Sequence, residues 1–172
     1  GADALFLTNI DYYGGTCRAE NPGIPVVCDN AHGAYLRFVS KAAFGRDYLH
    51  PMEFGYPVIS AESAHKTLPA LTGAAYLHFS KGTEHSRAKE MMALFGSSSP
   101  SYLILDSLDK FNDRIATDID CVNRACASVA KLKSDLAAMG FIIRKSDPLR
   151  ITINTRAWGW RGVEFAAQLR AS

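Results

Sequence analysis

The chain has 172 residues, of which 48% are hydrophobic and 21% charged, with a formal net charge of +2. This length is sufficient for one domain with a sizeable core. No apolar run approaches the roughly 20 residues of a membrane span, and no dense stripe of Lys and Arg supports nucleic-acid binding. Because the first residues contain no basic leader, we expect a cytoplasmic protein that acts neither at a membrane nor on nucleic acid.

The four cysteines are Cys17, Cys28, Cys121 and Cys126, and they form no Cys-x-x-Cys pair. Cys28 closes an apolar run, and Cys121 and Cys126 lie within a helical pattern. We therefore expect buried free thiols in a reducing compartment rather than disulfides or a metal site.

Four short apolar runs in the first half of the chain predict strands over residues 4–8, 24–28, 56–60 and 74–79. The first two are unbroken rather than alternating, which is typical of a parallel sheet covered on both faces. Parallel neighbours usually need a crossover helix, and residues 17–23 are too few and too rich in helix breakers to form one. Either these two strands are not parallel neighbours or residues are missing between them, and we favour the second alternative.

The second half of the chain is predicted to be mostly helical. A helical pattern covers residues 83–95, and apolar residues at steps of three and four predict one continuous helix over 100–139, after serines that can cap it. At 1.5 Å per residue that helix would span about 60 Å, so it would connect two units or lie against a partner subunit. Strands over 141–144 and 150–154 and a helix over 161–170 would complete a small α+β unit.

Two side chains at strand ends indicate a chemistry. Asp29 and Lys66 each follow the carboxyl end of a predicted strand, where open α/β sheets bind ligands. A carboxylate that pairs with a protonated ring nitrogen and an amine that forms a Schiff base are what pyridoxal phosphate requires. Ala31 is small enough to admit a flat ring, His32 could reach a phenolic oxygen, and Ser63 could donate to a phosphate.

Each of these residues also has a simpler explanation. Lys66 could be solvated in a surface turn, and Asp29 could cap the turn that follows it. His32 and His65 could be hydrogen-bonded loop histidines. A zinc site built from His32, His50, His65 and His78 would lack any familiar ligand spacing.

Two segments resemble the major domain of the bacterial ornithine/lysine/arginine decarboxylases, which are fold-type-I pyridoxal-phosphate enzymes. They are Asp-Asn-Ala-His-Gly-Ala-Tyr at 29–35 and Ser-Ala-His-Lys-Thr-Leu-Pro-Ala-Leu-Thr-Gly at 63–73. Residues 11–14 and 98–102 match further segments of the family. The resemblance implies an α/β fold: a mainly parallel sheet from a transferase-like large domain, a long connecting helix and a small α+β end. The corresponding division is 1–99, 100–139 and 140–172.

The resemblance also implies roles for individual residues. Lys66 would be the Schiff-base lysine, His65 a polar or proton-transfer group, and His32 a neighbour of the phenolic oxygen of pyridoxal phosphate. The other cofactor-binding residues would be Asp29 at the pyridine nitrogen, Ala31 under the ring, Ser63 at the phosphate, and Tyr12 and Ser99 at the pocket. Family members are dimers with pockets at the interface, so a homodimer or higher homo-oligomer is expected, with Ser99 able to serve the partner's site.

The function implied is decarboxylation of arginine, lysine or ornithine. Two alternatives stay open. The Asp29 and Lys66 pair serves every α-carbanion chemistry, so an aminotransferase or another lyase would use it equally. In addition, the family's Gly/Ser/Thr phosphate loop and ring-stacking aromatic lie upstream of the matched segments and are not in this sequence, so a non-catalytic fragment or assembly domain is the other alternative.

Overall fold

A computed structural model describes residues 1–45, 47–83, 85–97 and 99–171. Its main sheet has four strands, in the spatial order β1 (Leu5–Thr8), β2 (Val26–Asp29), β3 (Val58–Glu62) and β4 (Tyr76–Phe79). The first three are parallel, and β4 runs antiparallel to β3. The predicted α/β fold with a mainly parallel sheet is confirmed.

The connection between β1 and β2 contains no helix. The two strands are nevertheless parallel neighbours, with Leu5 opposite Val26. The alternative that they do not pair is therefore wrong. The connection is held by a bridge between Ile10 and Thr16 and by the Tyr56 hydroxyl, which donates to the carbonyl of Ala19 at 2.9 Å. A loop anchored at these points replaces the usual crossover helix.

The two faces of the main sheet differ in burial. Alternate strand residues lie on what we call the packed face, which consists of Leu7, Val26, Cys28, Val58, Ser60 and Glu62, all buried. Their neighbours form the open face, defined by Phe6, Val27, Ile59, Leu77 and Phe79. Phe6, Val27 and Leu77 are 68%, 41% and 40% exposed. The described residues therefore cover one face of the sheet, whereas the unbroken apolar runs predicted cover on both.

The helices follow the order α1 (Lys41–Phe44), α2 (Ala64–Thr67), α3 (Ala88–Phe95), α4 (Tyr102–Thr117), α5 (Cys121–Ala138) and α6 (Gly162–Ala171). Short 3-10 helices cover Ala34–Phe38, Pro51–Glu53 and Thr155–Trp158. In the part of the chain that the structure describes, no helix is both long enough and apolar enough to cross a membrane.

The continuous helix expected over 100–139 is wrong, since α4 ends at Thr117 and α5 begins at Cys121. Asp118 leaves the helical conformation at φ −145° and ψ 74°. Its carboxylate accepts hydrogen bonds from Arg114 of α4 at 3.1 Å and from Arg124 of α5 at 3.0 Å. A cation from each helix thus stabilises the break.

Helices α4 and α5 both pack into one apolar cluster with residues from the first half of the chain, instead of extending away from the sheet. Phe111 of α4 and Val122 and Cys126 of α5 are buried in one apolar cluster with Tyr35 and Leu36. The start of α4 also differs from the prediction, because Ser101 is its N-cap and makes no capping side-chain bond. Ser98, the first residue of the matched segment 98–102, lies outside the described residues.

The small α+β end has the predicted elements. Strands β5 (Ile143–Arg144) and β6 (Thr152–Ile153) pair antiparallel, and α6 closes the chain. Phe141 packs edge-on against Trp158 with ring centroids 5.3 Å apart. The division into 1–99, 100–139 and 140–172 stays a prediction.

The cysteines are all free. Cys28 and Cys126 are buried as expected, and burial raises the pKa of their thiols to about 12 and about 11. Cys121 is half-buried, while Cys17 is exposed, so the expectation of burial is wrong for Cys17.

Candidate functional site

Lys66 lies on a single helical turn directly after β3. The turn is anchored from below, because Ala64 and Leu68 are buried in the apolar cluster. The backbone N–H of His65 donates to the carbonyl of Ala74 at 3.3 Å, and its ring Nδ1 lies 3.0 Å from the same oxygen. The fixed turn leaves the Lys66 side chain exposed.

Asp29 is the last residue of β2, the strand beside β3, and it is opposite Ala61 of that strand. Its Oδ1 accepts a hydrogen bond from the backbone N–H of Ala31 at 2.9 Å. The prediction that Asp29 caps the following turn is therefore confirmed. Its role at a ring nitrogen stays a prediction that this bond does not contradict, since a carboxylate has a second oxygen.

A cleft of about 680 Å³ opens beyond this edge of the sheet. Its lining brings together three side chains that the sequence singled out, namely Tyr12, His32 and Lys66. The ring of Tyr12 stands edge-on to that of His32, with centroids 5.8 Å apart. The remaining lining residues are Tyr13, Arg150, Ile151, Thr152 and Ile153.

The charges around His32 favour its neutral form. Burial lowers the pKa of His32, and the positive charges of Lys66 and Arg150 lower it further, against the opposing charges of Asp29 and Asp147. The ring is therefore set to remain uncharged near neutral pH.

Five of the predicted site residues do not line the cleft, and Asp29, described above, is one of them. Ala31 and Ser63 are half-buried in the turns that follow β2 and β3. His65 is half-buried with its ring at the Ala74 carbonyl. Ser99 is exposed just before α4, and its N–H donates to Ser97 Oγ at 3.1 Å. Their assigned roles stay predictions.

A second polar cluster lies on the packed face, around Glu62. Its Oε1 lies 2.7 Å from His50 Nε2 and accepts hydrogen bonds from Asn30 Nδ2 at 2.9 Å and Ser60 Oγ at 3.0 Å. Its Oε2 lies 3.4 Å from His78 Nε2. Burial acts to raise the pKa of Glu62, but these neighbours outweigh burial and lower it to about 2. Glu62 is thus a buried carboxylate.

This cluster brings together two of the four histidines considered for zinc, His50 and His78, but not His32 or His65. With Glu62, these two histidines offer three ligand atoms within 4.8 Å of one another. However, Nδ1 of His50 accepts a hydrogen bond from the backbone N–H of Met52 at 3.2 Å, which leaves the ring proton on Nε2, the atom that faces Glu62. A metal there would have to displace that proton, so the contacts favour a structural cluster.

Sequence reasoning did not single out Arg150 in the cleft, its partner Asp147, or Glu62 at the centre of the polar cluster. Arg150 contacts His32 and Asp147 contacts Tyr35, in each case across more than a hundred positions of the chain, and no local pattern marks these pairs. Glu62 is the last residue of β3, and an acidic residue at an inward-facing strand position was the available signal.

The comparisons with known proteins agree with one another. A family model described as "Orn/Lys/Arg decarboxylase, major domain" matches residues 7–155. The Bacillus subtilis protein "Uncharacterized protein YaaO" is 33% identical over 177 residues, which cover 90% of this chain and 35% of that protein. An arginine decarboxylase of the same organism is 26% identical over 192 residues, covering 99% of this chain and 38% of that protein.

Among solved structures, the constitutive lysine decarboxylase of E. coli superposes with a TM-score of 0.60 at 20% identity. The match covers 80% of this chain and 20% of that one. This likeness confirms the expected transferase-like fold, and the chain spans less than two fifths of the curated relatives described above. The family match and the fold together show that the chain belongs to the Orn/Lys/Arg decarboxylase family, of which it carries part of the major domain.

Proposed function

We propose that this chain acts in the pyridoxal-phosphate-dependent decarboxylation of a basic amino acid, with Lys66 as the cofactor-holding lysine. The observation that carries the proposal is one cleft lined by both Lys66 and His32, beyond the carboxyl ends of two adjacent parallel strands. Asp29 ends one of those strands, so the amine and the carboxylate that the cofactor needs lie at the same edge.

The residues present fit the ring portion of the cofactor. Lys66 would hold it through its amine, Asp29 would face the ring nitrogen, and Ala31 would leave room for the flat ring. His32 and Ser63 would face the phenolic oxygen and the phosphate. When bound, the cofactor supplies a sink for the electrons that remain when carbon dioxide leaves the α-carbon.

Proton return is assigned to Lys66 rather than to His65. Lys66 lines the cleft, whereas the His65 ring lies against the Ala74 carbonyl. Lys66 Nζ is therefore the proposed donor, since an exposed amine in the cleft would face the substrate's α-carbon.

The first test is trapping of Lys66 by the cofactor. Wild-type protein incubated with pyridoxal phosphate and reduced with borohydride should carry the label on the peptide containing Lys66, and Lys66→Ala should remove it. Lys81→Ala is a matched control, because Lys81 follows β4, which runs the opposite way and ends at the other edge of the sheet. Labelling that persists in Lys66→Ala, or that depends on Lys81, contradicts the assignment.

The second test is product analysis with arginine, lysine and ornithine. Release of carbon dioxide with formation of the matching amine supports the decarboxylase, and formation of a keto acid without carbon dioxide supports the aminotransferase alternative. This experiment also identifies the substrate among the three.

A second candidate function is that of a non-catalytic assembly domain. The specific observation in its favour is the open face, where Phe6, Val27 and Leu77 remain exposed on a sheet whose relatives are much longer chains. A homodimer or higher homo-oligomer in the cytoplasm belongs to the main proposal. Absence of any Lys66 label in the trapping experiment would favour the assembly domain over the enzyme.

A further inference from the structure

The segment before β6 places a fully buried carboxylate next to the cleft. The Asp147 side chain is 0% exposed. Its Oδ1 accepts hydrogen bonds from the Tyr35 hydroxyl at 2.5 Å and from the Leu149 N–H at 2.9 Å. Its Oδ2 accepts one from Arg150 Nη1 at 2.5 Å. These three hydrogen bonds hold the Asp147 carboxylate in one orientation, and the carboxylate in turn anchors Arg150.

The backbone on the opposite side is shaped to admit Asp147. Gly14 has φ +81°, and a Cβ built there would lie 2.7 Å from Asp147 Oδ2 and 2.9 Å from its backbone nitrogen. The Asp147 N–H donates to the Gly14 carbonyl at 2.8 Å. Only glycine permits both this conformation and this approach, so the turn after β1 is fitted to the segment that carries Arg150.

Arg150 reaches from this anchor to His32. Its Nη2 lies 2.7 Å from His32 Nδ1. A guanidinium group has only donors, so Nδ1 of His32 must be the acceptor in this contact. A histidine that accepts at Nδ1 is neutral and carries its proton on Nε2.

We propose that Arg150 is a positioning residue that holds His32 as the neutral Nε2–H tautomer, so that His32 presents a hydrogen-bond donor to the cleft beside Lys66. Asp147 and Tyr35 in turn hold Arg150. The inference rests on the proposed function only for the identity of the acceptor, which would be an anionic oxygen of the bound cofactor, such as the phenolic one.

The alternative use of Arg150, as a clamp on the substrate carboxylate, fits the contacts less well. Both of its Nη atoms already face protein partners. Moreover, a cation fixed on the carboxylate would stabilise the reactant charge that decarboxylation removes, which binds the ground state rather than the transition state. A role through His32 avoids that cost.

The charged groups that face His32 agree with the geometry. Lys66 from α2 and Arg150 from the segment before β6 are cationic, and Asp29 at the end of β2 and Asp147 oppose them. Burial and the two cations together lower the pKa of His32, which keeps the ring in the neutral state that the Arg150 contact requires.

The test is nitrogen NMR of the His32 ring in the full chain, with and without substitution at Arg150. The wild type should show the Nε2–H tautomer and should titrate below the ordinary histidine value. In Arg150→Met the pKa should rise and the tautomers should mix, because both a donor and a positive charge are gone. Arg144→Met is the control, since Arg144 is exposed on β5 and should leave both signals unchanged.

An Nδ1–H ring in the wild type, or an unchanged His32 titration in Arg150→Met, overturns the proposal. If Arg150→Met does not fold, Arg150→Lys serves instead, because one ammonium group cannot bridge Asp147 and His32 as two Nη atoms do. The tautomers should then mix, and the His32 pKa should rise less than in Arg150→Met because the positive charge remains. The ring signals are read without cofactor or substrate. A protein with the stated tautomer but no Lys66 label would keep this inference and lose the proposed function.

Discussion

The packed and open faces of the main sheet are formed by the same strands, but their surroundings differ. On the packed face, apolar side chains such as Val26 and Val58 are buried, as is Glu62 at the centre of the polar cluster. On the open face, equally apolar residues such as Phe6 and Leu77 remain exposed, and α3 lies beside β3 and β4 along a groove of about 890 Å³. The apolar strand residues would allow both faces of the sheet to be buried, but the described helices and loops bury only one of them.

Substitutions on the packed face should have the largest effect on the free energy of unfolding. Glu62→Ala should lower the free energy of unfolding by about 3–5 kcal/mol, because His50, Asn30 and Ser60 would lose their shared buried partner. Urea denaturation followed by circular dichroism measures this loss. A loss below about 1 kcal/mol, the level of an exposed ion pair, would contradict a buried cluster.

The same carboxylate predicts how stability depends on pH. Because the native pKa of Glu62 is lowered from 4.5 to about 2, its contribution is fully present above pH 4.5 and is lost as the pH falls toward 2. The whole contribution is on the order of 3 kcal/mol. Denaturation midpoints of the wild type should fall over this pH range, and those of Glu62→Gln should fall less. Equal slopes for the two proteins would show that Glu62 is not the titrating group.

The open face should respond weakly to truncation. Leu77→Ser and Phe6→Ser should each change the free energy of unfolding by no more than about 0.5 kcal/mol. Both should reduce the binding of an apolar fluorescent dye, because exposed apolar area is removed. A cost of about 2–5 kcal/mol, as for core truncations, would instead mean that this face is covered in solution.

Labelling of the thiols probes burial in the unsubstituted protein, and it should have the smallest effect on stability. Cys17 should react with a thiol reagent in the folded protein, whereas Cys28 on the packed face should react only on unfolding, since burial raises the pKa of its thiol to about 12. Peptide mapping after timed labelling separates the two, and labelling in urea, where all four thiols should react, is the control. Rapid native labelling of Cys28 would contradict a closed packed face.

Three lining residues of the candidate cleft, Tyr12, His32 and Lys66, were predictable because strand ends and short motifs are local features. Asp29, His32 and Lys66 follow apolar runs, and parallel strands bring their carboxyl ends to one edge. The break at Asp118 was not predictable in the same way. Ile115 and Val122 keep their helical spacing across the break, so periodicity does not reveal it, and the deciding contacts from Arg114 and Arg124 are ionic.

The sequence by itself determined the strands, the turn that carries Lys66 and the family, because each depends on neighbours along the chain. Only the tertiary structure decided which distant side chains meet: Arg150 with His32, Asp147 with Tyr35, and Glu62 with His50. It also decided which face of the sheet is packed. Burial and charge pairing depend on the packing of the whole chain, and no local pattern records them.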